Sequence, residues 1–147
     1  MGARVVAAAV VAVIVLAITA APRPVQADDR ARLDVRIIHA TKGEPYVHPS
    51  LQDLAQHFKR FGGYERFTML GRQNMELAME QTGSMAMPNG KTLQLIYRGT
   101  SKEYVKLRFV MGDLQMNIRV HEGGVFFHGG AQHAGGALII AVKASSR

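Results

Sequence analysis

Cysteine is absent from this chain of 147 residues, which removes disulfide staples, thiolate metal sites, cysteine nucleophiles and lipid attachment at a leading cysteine. No GxSxG elbow, HExxH helix or GxGxxG turn opening a helix is present either. The serine-hydrolase, zincin and dinucleotide-binding signatures are therefore missing, and no motif asks for a cofactor. Beyond the first 21 residues no apolar run reaches the roughly 18 residues of a spanning helix. Whatever folds here is stabilised by packing alone.

The chain opens with Arg4, an apolar run from Val5 to Ala21, and then Pro22-Arg-Pro-Val-Gln-Ala27. This is the order of a signal peptide, with Val25 and Ala27 in the small-residue cleavage positions. It predicts a leader over 1–27, an exported periplasmic or extracellular protein, and one domain over 28–147. A membrane anchor is the rival reading, opposed by the Ala/Val composition and by helix-breaking Pro22 and Pro24. After cleavage no transmembrane helix would remain.

Lysine and arginine total 18 against 11 acidic residues, a net charge of +7. Such a balance favours anionic partners, phospholipid head groups or acidic polysaccharide in the envelope. The cations are scattered, and neither a recognition helix nor an aromatic-interleaved RNA motif accompanies them, so no specific nucleic-acid partner is expected. A solvated mixed surface is the plainer alternative.

In "HPSLQDLAQHFKRFGG", Ser50 and Asp53 have capping-box spacing, Leu51, Leu54, Ala55, Phe58 and Phe61 share one side, and Gly62-Gly63 supplies a terminator. The pattern predicts an amphipathic helix packed on a sheet. Around it, Leu33, Val35 and Ile37 alternate with polar residues, as do Val105 to Met111 and Leu114 to Val120. "PNG", a turn through Gly99 to Glu103, and Gly112-Asp113 supply hairpin connections. The expected class is α+β, one amphipathic helix on an antiparallel sheet curled into a half-barrel or sandwich.

Methionine and histidine are the residues with chemistry to offer. Met69, Met75, Met79, Met85, Met87, Met111 and Met116 all fall on the apolar phase of a predicted strand, which favours core packing over thioether ligation. The metal alternative is a copper or zinc binder using His121, His128 and His133 with Met85 and Met87. Of the other histidines, His39 ends the first strand, His48 precedes the helix, and His57 follows Asp53 at i+4, the spacing of a helix-surface ion pair. Nucleophile, base and oxyanion donors do not assemble, so catalysis is not expected; a small envelope hydrolase stands as the third option, resting on carboxylates whose spatial pairing sequence does not reveal.

The tail "HEGGVFFHGGAQHAGGALIIAV" carries glycine pairs at 123–124, 129–130 and 135–136. Paired glycines between apolar runs mark turns, bulges or close backbone approach. His128, Gly129, Gly130, Gln132, His133, Gly135 and Gly136 form the candidate interaction surface.

With its "HPSLQDLAQHF" helix, "PNGKTLQLIYRG" hairpin and glycine-paired tail, the chain resembles small exported proteins of myxobacteria and related bacteria. The tail alone is faintly similar to the glycine-rich strand pair of the secretin family. The first resemblance implies export and no activity. The second implies an accessory, assembly or binding domain, and neither brings functional residues. The expected function is an exported, non-catalytic interaction or assembly domain of the bacterial cell envelope, acting on an envelope protein or an anionic envelope component.

Overall fold

The computed structural model describes residues 30–146. The expected leader over 1–27, its expected cleavage site and the expected start of the domain lie outside the described residues. Nine strands hold 67% of the described residues and one helical segment about 10%. The fold is mainly β, and this corrects the α+β expectation.

The strands are β1 (Arg30–Thr41), β2 (Tyr46–Val47), β3 (Arg66–Ala78), β4 (Thr82–Ala86), β5 (Thr92–Ser101), β6 (Tyr104–Met111), β7 (Leu114–His121), β8 (Val125–His133) and β9 (Gly136–Ser146). They form two sheets, ordered β2-β3-β1-β9-β8 and β4-β5-β6-β7, and neither closes into a barrel. Leu33, Val35, Ile37, Leu138 and Ile140 of the first sheet share one core cluster with Leu95, Tyr97, Leu107, Phe109 and Val120 of the second. A face-to-face sandwich therefore replaces the single curled sheet.

β1 and β9 run down the middle of the first sheet and are buried on both faces. Odd positions of β1 point into the sandwich, while Ile38 and Ala40 join a second cluster on the outside. β3 matches this by changing phase. Its register slips at Ile37/Ile38 so that Leu70 has no partner, and Phe67 falls in the outer cluster while Met75 and Leu77 fall in the inner one. One bulged residue transfers the apolar set from one face to the other.

Pro49–Arg60 is a 3-10 helix rather than an α-helix. At three residues per turn, side chains three apart are eclipsed and the cross-section is triangular. The row Ser50, Asp53, Gln56, Lys59 is exposed throughout, whereas Leu51, Leu54 and Phe58 from the other two rows are buried. They meet Ile38, Ala40, Phe67, Ile139 and Ala141, with the Phe58 and Phe67 rings stacked 4.3 Å apart. The capping box does not form. His48 Nδ1 accepts from the Ser50 amide at 3.1 Å, and Asp53 is engaged by Arg36 instead.

Two further expectations change. Met79 is 46% exposed and so is no core residue, although Met75, Met85, Met87 and Met111 are buried. The β5–β6 connection is a two-residue turn at Lys102-Glu103, and Gly99 sits earlier, where the pairing slips between Tyr97 and Thr100.

Candidate interaction surface

β8 and β9 pair from Val125↔Lys143 to His133↔Gly136, and Ala134 (φ 45°) and Gly135 (φ 78°) make the connecting turn. Positive φ at both central residues is the twist that joins right-twisted strands in two residues. Gly136 is needed for a separate reason. A Cβ there would collide with the Ala40 carbonyl oxygen of β1 and lie 2.8 Å from Thr41 Cγ2. Gly130 (φ 123°) is the extra residue of a bulge between Gly129 and Ala131.

Six of the seven candidate surface residues come together around this hairpin end. Gln132, His133, Gly135 and Gly136 line a cavity of about 540 Å³ with Lys42 and Tyr64. Gly129, Gly130 and Gln132 line a neighbouring one of about 370 Å³ with Arg60, Phe61 and Tyr64. Gln132 and Tyr64 belong to both, and among the described residues no carboxylate lines either. The seventh residue, His128, lies elsewhere. Its half-buried ring packs 5.4 Å from that of Phe109 in the opposite sheet.

His133 is held from beneath. His39 Nε2 donates to the His133 carbonyl oxygen at 2.8 Å, and the two rings meet edge to face at 5.6 Å. That bond places the His39 proton on Nε2 and ties the hairpin end to β1.

The residues of the metal alternative are dispersed. His121 ends β7, with Nε2 3.5 Å from Glu103 Oε2 and its ring against Tyr104. His128 faces Phe109, His133 sits at the hairpin end, and Met85 and Met87 are in the sandwich core. Among the described residues no group of three or more His, Asp or Glu converges as a metal site would require. The Asp53–His57 ion pair is also absent. His57 contacts Gln56 Nε2 at 3.4 Å and packs 5.2 Å from the Phe127 ring.

Asp53 belongs instead to a charge network that periodicity does not reveal. Arg36, 3% exposed on the outer face of β1, donates to both Asp53 carboxylate oxygens, to Asp34 and to the Ser50 carbonyl. Arg72 of β3 donates to both oxygens of Asp34, and Lys143 Nζ stands 4.0 Å from Asp53. Burial pushes the Asp34 carboxyl up, but the hydrogen bonds from Arg36 and Arg72 outweigh it and hold the group below its ordinary value. The Arg36 hydrogen bond lowers Asp53, against a smaller opposing effect of burial. The same partners raise Arg36, led by the bond to Asp53. Both carboxylates stay ionised and fully engaged, which suits a clamp between sheet and helix and not acid–base exchange.

The edge position of β8 completes the geometry. Among the described residues it pairs with β9 alone, and no other described strand pairs with the backbone on its other side. From Val125 to His133 it contains neither proline nor a Lys, Arg, Asp or Glu, the usual devices that blunt an edge. Comparison of the chain with protein-family models, curated proteins and solved structures gives no match. No helix of the described residues is long and apolar enough to cross a membrane.

Proposed function

We propose that this protein is an exported, non-catalytic interaction domain of the bacterial cell envelope that binds an extended segment of a partner protein along β8. The observation that carries the reading is the edge itself, an uncharged, proline-free strand with a ladder on one side only among the described residues. Strand addition uses such an edge for main-chain hydrogen bonds and neighbouring depressions for side chains. The two cavities at the hairpin end supply the depressions.

The added segment is acidic. Lys42 and Arg60 line the cavities, and among the described residues no carboxylate lines either. A second copy of the chain fits less well, because its own net positive charge, which remains without Arg4 and Arg23, would oppose the approach. Export is supported by the leader-like order of Arg4, the Val5 to Ala21 run and Ala27.

A photo-crosslinking residue at Gln132 in the full chain, used in producing cells, tests this directly. The expected product joins β8 to an acidic, extended segment of another protein. A synthetic peptide of that segment should then slow amide exchange across 125–129 by roughly tenfold or more. Crosslinking to a second copy, or unchanged exchange with the peptide, would refute the reading.

A further inference from the structure

The outer face of the second sheet carries a row of cations. Lys106 of β6 lies directly opposite Arg119 of β7. On the other side of Lys106, β5 bulges between Tyr97 and Thr100, and Arg98 falls beside Lys106. Three neighbouring strands thus present Arg98, Lys106 and Arg119 side by side, over about 10 Å at the usual strand spacing. These side chains line a depression of about 240 Å³ with Asn117. Arg108, one cross-strand pair along, extends the charge.

Like charges directly opposite one another weaken a sheet. Here the repulsion is scarcely offset. Arg98 meets Glu80 at 3.2 Å, with both groups substantially exposed, and Arg108 donates to Gln115. Among the described residues Lys106 and Arg119 have neither an ion pair nor a side-chain hydrogen bond. A central pair, Lys106 and Arg119, that costs stability and has no such partner among the described residues suits an anion brought from outside.

We infer that this face binds an acidic polysaccharide laid across β5, β6 and β7, independently of the β8 edge. The row is too long for one small oxyanion to span, which calls for repeated negative groups. Gln94, Gln115 and Asn117 are exposed on the same strands and supply amide partners for hydroxyls. Surface helices that bind lipid combine cations with a large exposed apolar face. Among the described residues the one large exposed hydrophobic on this face is Tyr104, at the row's end with its ring against His121, since Leu114 of β7 shares the inward phase of Ile118 and Val120. The aromatic platform on which single-stranded nucleic acid stacks is missing for the same reason.

The test uses the full chain and polygalacturonate, with phosphatidylglycerol vesicles and inorganic phosphate as comparison probes. The double variant Lys106→Gln/Arg119→Gln should weaken polygalacturonate binding by roughly tenfold or more and flatten its salt dependence. Lys59→Gln on the helix, which removes one distant charge, should change it by less than about twofold. Thermal melting of the double variant should be unchanged or raised, since the substitution relieves repulsion. Equal binding by the double variant, or wild-type binding to the vesicles or phosphate but not to polygalacturonate, would overturn the inference.

Discussion

Arg36 on β1 grips Asp53 on the 3-10 helix with both ends of its guanidinium, Nη1 to Oδ1 at 2.7 Å and Nη2 to Oδ2 at 2.9 Å. Two parallel charge-assisted bonds fix orientation as well as distance, so this pair sets where the helix lies on the sheet. The arginine is buried while the aspartate is 44% exposed, and the two partners should therefore respond differently to substitution. Arg36→Ala leaves a void and an incomplete network and should cost roughly 3 kcal/mol. Asp53→Asn leaves Arg36 still paired with Asp34 and should cost about 1 kcal/mol. Urea unfolding of both variants checks the order, and equal losses would contradict it.

Acid should release the same clamp. Asp34 and Asp53 are both lowered from 3.8 by their arginine partners. In acid the unfolded chain therefore binds more protons than the folded one, and stability rises with pH there. The contribution is complete above the unfolded carboxylate value and disappears as the pH falls through the lowered folded values. Melting temperatures measured from pH 6 to pH 2 should drop steeply below about pH 4. The Asp34→Asn/Asp53→Asn variant should show a shallower fall; an identical slope would remove the network as its cause.

The β5–β6 turn stores local strain. Lys102 (φ 49°) and Glu103 (φ 67°) both occupy the left-handed region, where a Cβ costs roughly 1–2 kcal/mol. Replacing them by Asn-Gly should raise stability by about 1 kcal/mol, read as a higher denaturant midpoint with an unchanged slope. A fall in the midpoint would mean that the two side chains make compensating contacts.

Glycine substitutions should divide by place. Gly136→Ala forces a Cβ against the Ala40 carbonyl and should cost about 2 kcal/mol or more. At Gly62 nothing stands within 4 Å of the added Cβ, and Gly62→Ala should be neutral or stabilise by up to about 1 kcal/mol. Comparable losses at both positions would remove close strand approach as the reason for Gly136.

Much of the strand pattern was legible residue by residue. Alternation over Leu33–Ile37, Val105–Met111 and Leu114–Val120 marks strands with one buried face, and Gly112-Asp113 fixes the β6–β7 register. That register alone places Lys106 opposite Arg119. Arg98 was not legible, because the β5 bulge shifts the pairing by one residue. Leu51, Leu54 and Phe58 fit both the 3-10 and the α period, so the sequence pattern does not separate the two helices. Met79 keeps the apolar phase of its strand yet is exposed, because alternation assigns a phase but not the end of the sheet that would cover it.

The sequence by itself determined the apolar faces, the tight turns and the glycine-paired tail, since these follow from local sterics and from periods of two or about three residues. Only tertiary structure decided the two-sheet sandwich, the change of face at Leu70, the union of Arg36 with Asp53 and the exposure of β8 as an edge. Each depends on strand order and register between segments far apart in the chain, which local pattern does not encode. The cavities at the hairpin end arise the same way, from Lys42, Arg60 and Tyr64 meeting a tail some 70 to 90 residues further on.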